Sequence, residues 1–538
     1  MASATTHSVE GTVSQPGAIP SFWAIAPVVA VAAFMEVLDL SIANVALLHI
    51  AGSLSASQDQ ATWVLTAYTV TNAIILPLSG WLATTLGRKR YFMGSIGTFS
   101  LASLLCGLAP GLGALIFFRA LQGLVGGGLQ PNAQAILSDA APPEKRGMAF
   151  ALYGMAVVLA PAIGPTLGGW ITDHMGWRWV FLINVPVGFL ILPFVKALVR
   201  DPPHLVQETT ARRVRGIKLD YIGFGLIALG LGSLQIVLDR GQQNDWFASN
   251  LILVLTALAG ITLIGFVIWE WTRSDPIVDL HLFKNQTFAV ANLLMFMLGF
   301  VLLATTVLLP LYVQSLMGYT PVQAGLMLSP GGLVILFLMP LVGQLVSRTD
   351  ARWLISTGFL VIGVAMLLMS RFNTETGFQT IMWTRVFQAS GMAFLFIPIN
   401  TIAFTAIDTV QSSNASAIIN MSRNIGGSFG ISIAVTILIR EAQIHQNRLI
   451  GHVRATNPAL HAYLATVRNH LAVVGHGGFA ATHVAMGYLY RTVVKQATML
   501  AYIDDFRFLG VASILLIPAV FFLRSRKKPR TGIPSGMH

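Results

Sequence analysis

Fourteen long apolar stretches alternate with short polar breaks, near 27–48, 60–83, 91–109, 113–137, 147–171, 178–199, 219–239, 250–271, 287–313, 321–346, 352–370, 380–405, 414–440 and 505–523. About 20 apolar residues in a helix cross the ~30 Å hydrocarbon core of a bilayer, so each stretch predicts one membrane-spanning helix. Six precede a polar, arginine-bearing stretch at 200–218, two follow it, and six more complete the set. This divides the chain into a flexible tail (1–22), a six-helix half (23–199), a linker carrying two inserted spans (200–286), a second six-helix half (287–523) and a basic tail (524–538). A long polar segment at 441–504 interrupts the second half before its last span. The fold class is an all-α polytopic membrane protein.

Composition sharpens that picture. Of 538 residues 55% are hydrophobic and 10% charged, where an ordinary soluble domain has about 25% charged. The net charge of +12 sorts by loop. Arg88, Lys89, Arg90, Lys145, Arg146, Lys196, Arg200, Arg212, Arg213, Arg215, Lys218, Arg273, Lys284, Arg348, Arg352 and the tail Arg524 to Arg530 fall on one side; only Arg178, Arg240 and Arg371 fall in the short loops of the other. Basic loops stay in the cytoplasm, so both termini are expected there, with 441–504 outside. The basic excess thus reflects topology and points to no nucleic-acid partner. Cys106 is the single cysteine, which excludes an internal disulfide. The first 20 residues are polar without a basic start, which predicts a tail and not a cleaved signal peptide.

An internal repeat is also visible. Arg119–Gln122 (RALQ) recurs as Arg385–Gln388 (RVFQ), Gly80-Trp-Leu as Gly343-Gln-Leu, and Ser53-Leu54 as Ser315-Leu316. The shared offset of roughly 262 to 266 residues is what a parallel duplication of six-helix halves predicts. The spans at 219–239 and 250–271 then read as an insertion between the halves.

Chemistry concentrates where charge meets oil. The first span holds Glu36 and Asp39, three residues apart and so on one helical face. A carboxylate at the centre of a lipid-facing helix costs about 2.5–3.5 kcal/mol, so such residues face a bundle interior or a wet cavity. Desolvation favours the protonated form, which makes either acid a candidate proton carrier. Arg119, Arg385 and Arg423 also lie in apolar runs. Arg119 is a candidate partner for Asp39 or Glu36; a positive charge beside an acid opposes protonation, so moving it away would favour proton uptake. The alternative is a fixed structural pair. Between Gly154 and Gly169 lie small residues with Pro161 and Pro165, a pattern that suits close helix packing and bending. The loop Ser79 to Arg90 places Arg88 where Asp139 or Glu144, after the fourth span, could bind it in one conformation and release it in another. Met35, Trp63, Phe296 and Phe394 offer apolar or aromatic surface for a substrate. Six histidines fall in 441–504 (His445, His452, His461, His470, His476 and His483). No two have the i, i+4 spacing of a metal pair, so no metal site is expected and a partner-docking helical pair is preferred. No GxxxxGK[ST] occurs. The energy source is then an ion gradient with no cofactor; a proton crossing 100 mV supplies about 2.3 kcal/mol.

These motifs resemble the major facilitator superfamily, and within it the fourteen-span drug:proton antiporters, the EmrB-like exporters. LDLSIANVAL (Leu38 to Leu47) is similar to that group's first-helix motif, with Asp39 at its acidic position. GWLATTLGRKR resembles the superfamily's loop motif, with Gly80, Gly87 and Arg88 at its positions, and FFRALQGLVGG its fourth-helix motif at Arg119, Gln122 and Gly123. APAIGPTLGG is similar to the antiporter motif at Gly164, Pro165, Gly168 and Gly169; WRWVFLINVPVG and LDRGQQNDW also look EmrB-like. The loop motif departs from pattern at Thr84, where an acid is usual, and the first-helix motif at Leu48, where a proline is usual. The resemblance implies two six-helix halves plus two inserted helices in a bacterial inner membrane. It implies export of hydrophobic or amphiphilic toxic compounds in exchange for protons, with Asp39 the proton site, Glu36 its assistant and Arg119 its modulator. It also implies a periplasmic membrane-fusion adaptor and an outer-membrane channel as partners, with 441–504 the candidate contact. Proton-coupled uptake on the same fold and a non-transporting receptor are the competing readings; no catalytic constellation supports an enzyme.

Overall fold

A computed structural model describes residues 22–215, 220–273, 276–453, 457–473 and 478–523; the two tails, 1–21 and 524–538, lie outside it. In order the helices are α1 (Phe22–Ser53), α2 (Gln58–Ile75), α3 (Ser79–Leu86), α4 (Arg88–Gly107), α5 (Leu112–Gly126), α6 (Leu129–Ala140) and α7 (Arg146–Met175). They continue as α8 (Trp179–Leu182), α9 (Asn184–Leu198), α10 (Pro203–Arg215), α11 (Tyr221–Arg240), α12 (Asn250–Thr272), α13 (Gln286–Leu311) and α14 (Pro321–Leu345). The last are α15 (Ala351–Met369), α16 (Phe378–Thr405), α17 (Ser412–Ile450), α18 (Pro458–Val473), α19 (Gly478–Leu515) and α20 (Ile517–Val520).

Every predicted span coincides with helix. Among the described residues eleven helical stretches, counting α5 with α6 and α8 with α9 as one each, are long and apolar enough to cross a membrane, and a twelfth if α2 and α3 are one span bent by 57°. That bend falls at Leu76–Leu78 around Pro77, whose ring cannot donate to the helical ladder. The α4 helix, which opens on Arg88, Lys89 and Arg90, and α19, which carries Arg491, Lys495, Asp504, Asp505 and Arg507, lie outside the apolar set. Local signals set the starts. Ser57 and Thr320 form capping boxes with Gln60 and Gln323, and Asn285, Asp220 and Asp350 accept from the first free amides of α13, α11 and α15. By contrast, α7 runs unbroken through Pro161 and Pro165.

Two polar segments are also helical. In 441–504, α17 continues to Ile450, and α18 and α19 fill most of the remainder, because the segment keeps helix-favouring Ala, Leu, Gln and Arg and meets glycine first at Gly451. The arginine-bearing linker likewise holds α10, tied to α3 where Thr209 donates to the Thr84 carbonyl (2.8 Å) and Arg213 to that of Leu86 (3.2 Å).

The two halves meet along a rail of glycines. A Cβ on Gly147 would strike Gly343, one on Gly332 would lie 2.8 Å from Ala162, and one on Gly154 would lie 3.0 Å from the Met339 sulfur, so α7 and α14 run at near-backbone separation. At the end of the bundle carrying the basic residues, polar contacts pin the halves together. Arg88 is buried there, donating to Asp139 (2.6 Å), Ser412 (3.0 Å) and Ser413 (2.8 Å). Deeper, Ser416 donates to the Pro131 carbonyl (2.7 Å), Asn420 to Gln134 (2.6 Å), and Gln134 to Asn400.

Candidate functional site

The first-helix acids separate in space. Asp39 is wholly buried between α1, α5 and α9, where Arg119 Nη1 binds its Oδ2 at 2.5 Å and Oδ1 accepts from Gln122 Nε2 (3.0 Å) and Asn184 Nδ2 (2.7 Å). Ser103 accepts from the same two amides (3.1 Å each) and donates to the Phe181 carbonyl (2.8 Å). Arg119 is equally buried; it also donates to Gln122 Oε1 (2.7 Å) and the Val64 carbonyl (3.3 Å), and its guanidinium lies 4.3 Å from the Tyr68 ring centroid. A charge pair removed from water needs its remaining donors and acceptors filled, and these neutral side chains and the ring fill most of them. Arg119 thus pairs with Asp39 and not with Glu36.

Glu36 lies one turn back on α1 but faces a central cavity of about 150 Å³. Its Oε1 accepts from Asn72 Nδ2 at 3.1 Å, while no hydrogen bond among the described residues reaches Oε2. The wall is apolar from Leu40, Val157 and Leu302, with polar groups from Gln130, Asn424 and Arg423. Arg423, whose partner the sequence left open, binds Gln130 and has the Phe396 ring 6.0 Å away. An acid and a base therefore face one lumen without touching each other. An apolar cavity with a few converging polar groups is the usual form of a small-molecule site.

The inserted helix α11 contributes to this wall. Gln235 lines the cavity, accepts from Ser428 on α17 (3.0 Å) and donates to Asp239 (2.9 Å), which accepts from Thr69 on α2 (3.0 Å). One inserted helix thereby bridges α2 of the first half and α17 of the second.

The motif glycines serve proximity. Gly164 and Gly168 of α7 abut Ser41 and Ile42 of α1, beside Asp39 in sequence, while a Cβ on Gly169 would lie 3.9 Å from Val322. Pro165 lies on the same turn of α7, half-buried. Gly80 packs α3 on α17, where a Cβ would lie 3.0 Å from Asn414 Cα and 3.1 Å from the Ser413 carbonyl. Gly87 joins α3 to α4 at φ +92°, a conformation that favours glycine. Thr84 donates to the Trp81 carbonyl (3.0 Å), and Asp201 accepts from the Lys89 amide at the start of α4 (2.8 Å). Of the two acids proposed for Arg88, Asp139 binds it.

The four proposed substrate contacts do not line the cavity. Met35 is buried in the core; Phe296 is half-buried and packs near Phe429, with ring centroids 5.9 Å apart; Phe394 packs against the core. Trp63 is exposed and lies under Arg240, 4.5 Å from its guanidinium. A one-residue step turns a helix by about 100°, so proximity in sequence to Glu36 did not carry Met35 into the cavity. The residues that sequence reasoning missed are Asn184, Ser103, Asn72, Gln130 and Gln235: neutral polar groups inside apolar runs, without the charge that singled out the acids.

The repeat has a chemical asymmetry. Arg385 binds Gln388 as Arg119 binds Gln122, but Gln388 then donates to Thr305 (3.0 Å) on α13. Thr305 stands from Asp39 at the same offset as Arg385 from Arg119, so the acid exists in one half only.

Two repeated helical halves around a central cavity, with one sealed charge pair, define a membrane transporter of the two-half, alternating type. The model of the Major Facilitator Superfamily matches residues 29–431, and the chain belongs to that superfamily. It is 36% identical over 505 residues to the probable multidrug resistance protein EmrY of Escherichia coli (strain K12), covering 94% of this chain and 96% of that protein. It is 36% identical over 493 residues to the fatty acid resistance protein FarB of Neisseria gonorrhoeae, covering 92% and 94%. Among solved structures, the proton:xylose symporter XylE aligns with a TM-score of 0.58 at 14% identity, over 94% of this chain and 96% of that one; this likeness concerns fold.

Proposed function

We propose that the chain is a proton-coupled multidrug exporter of a bacterial inner membrane, moving hydrophobic or amphiphilic toxic compounds outward by alternating access. The resistance proteins to which it is similar over nearly their whole length support export of toxic cargo. The observation that carries the coupling is the Asp39–Arg119 pair, sealed within one half and backed by the α7 helix that forms the rail between halves. The basic end faces the cytoplasm, and the Arg88–Asp139–Ser413 contacts close it.

A proton reaching Asp39 removes the charge that holds Arg119, and the guanidinium retains Gln122, the Val64 carbonyl and the Tyr68 face. The bond between α1 and α5 is then weaker. Because Gly164 and Gly168 seat α7 directly on α1, the change reaches the rail on α14 and favours the alternative arrangement of the halves. Glu36 meets cargo in the cavity, where a cationic compound and a proton compete for one carboxylate. The helical extensions of α17 and α19 are the proposed contact for a periplasmic membrane-fusion adaptor, through which an outer-membrane channel would be reached. The gradient supplies the energy and no cofactor is required.

Inverted membrane vesicles, acidified inside, test the direction. Uphill accumulation of a lipophilic cation in the vesicle lumen, collapsing when the gradient is discharged, is expected; gradient-driven depletion of the lumen would indicate uptake into cells, and no flux at all would favour a receptor.

A further inference from the structure

Away from the cavity, where α17 and α19 pack together, a second polar cluster has no role in the transport reading. Glu441 and His445 stand one turn apart on α17, and Asp504 on α19 meets His445, Nε2 to Oδ2, at 2.7 Å. One ligand atom from each of Glu441, His445 and Asp504 lies within 4.8 Å of the other two, and all three residues are half-buried. Considering histidines only against one another hides this arrangement, since the i, i+4 pair is a glutamate and a histidine.

Asp505 supplies an independent observation. Its side chain is wholly buried, neither carboxylate oxygen has a hydrogen-bond partner among the described residues, and the charges acting on it are those of Asp504 and Glu441. Two carboxylates thus face one imidazole, and the buried Asp505 carboxylate lies within reach of their charges. The cation within reach is Arg507, largely exposed, with Nη1 3.5 Å from Asp504 Oδ1. A buried carboxylate without donors stays ionised only where a cation joins it, and otherwise takes up a proton. A simple His–Asp pair accounts for His445 and Asp504 and leaves Asp505 without a counter-charge.

We propose that Glu441, His445 and Asp504, with the nearby charge of Asp505, form a binding site for one divalent transition-metal ion of the zinc type, tying α17 to α19. One imidazole nitrogen with carboxylate oxygens is a donor set that Zn²⁺ accepts at about 2.0–2.2 Å. Ca²⁺ and Mg²⁺ demand more oxygen ligands, and soft Cu(I) prefers sulfur. Closing the ligands onto an ion replaces the hydrogen bond between His445 and Asp504, so binding releases any proton held there. The site is independent of cargo and proton coupling.

The test uses the full-length, untagged chain in detergent, stripped with a chelator and titrated with Zn²⁺ by calorimetry and with Co²⁺ by absorption. The expected result is one ion per chain, with affinity at least tenfold weaker in Glu441→Gln and His445→Ala. His452→Ala should leave it unchanged, since His452 is exposed and its Nδ1 turns back to the Arg448 carbonyl (2.9 Å). A hundredfold excess of Mg²⁺ or Ca²⁺ should not displace the ion. Thermal unfolding of the metal-free proteins verifies that each variant folds; should His445→Ala fail, the near-isosteric Glu441→Gln decides. Absence of a stoichiometric site, or one whose affinity survives Glu441→Gln, overturns the proposal.

Discussion

Asp39 and Glu36 share a helix and a face yet meet different surroundings, and the difference sets what each can do. Asp39 is enclosed by Arg119, Gln122 and Asn184, so its charge is tied to helix packing; Glu36 lines the cavity with one oxygen lacking a hydrogen bond among the described residues, and on the proposed function its charge is the one that meets cargo. Arg119→Ala, which removes one partner of a buried pair, is expected to lower stability by roughly 3–5 kcal/mol. Arg119→Lys should recover part of that stability while transport stays low, because an ammonium cannot reach Asp39, Gln122 and Val64 with the planar fork of arginine. Unfolding in micelles alongside vesicle flux measures both. Glu36→Gln is expected to reduce flux of lipophilic cations at least tenfold while sparing neutral compounds of similar size, a comparison that paired uptake assays make directly. Equal loss of both classes would remove Glu36 from cargo recognition.

Among elements, helices that approach at backbone distance govern the two arrangements. Gly80 seats α3 on α17 against main-chain atoms, which cannot yield as a flexible side chain does. Gly80→Val should force that end apart and favour the form open at the basic end; a cysteine introduced nearby should then label severalfold faster with an impermeant thiol reagent applied from that side. On α11, Gln235→Leu should break the bridge to Ser428 and Asp239 and alter the ranking of substrates, read as a changed order of affinities for a panel of fluorescent compounds. The spans were legible because membrane crossing demands length and apolarity, both readable along the chain. Less legible were the break at Pro77, since Pro161 and Pro165 leave α7 unbroken, and the continuous run of α17 past Glu441 to Ile450. Asp39, Glu36 and Arg119 stood out as charges within oil. Gln122 was visible only through its motif, and Asn184, Ser103, Asn72 and Gln235 became visible only when folding placed them beside those charges.

For the molecule as a whole, the repeated halves are equivalent in fold and unequal in chemistry. The Arg–Gln pair recurs in both, but Thr305 replaces the acid in the second, so the sealed acid–arginine pair proposed for coupling exists in the first half only. The glycine rail between α7 and α14 lets the halves rock with little side-chain interlock, and the Arg88–Asp139–Ser412–Ser413 contacts latch one end. On the proposed mechanism, neutralising Asp39 would loosen α1 from α5, and α7 would transmit this to the rail. The most direct measurement is proton release from acidified inverted vesicles on addition of substrate, comparing the wild-type chain with Asp39→Asn at matched levels of folded protein. A prompt release from the wild type and none from Asp39→Asn is expected; an undiminished release from Asp39→Asn would place the coupling proton elsewhere.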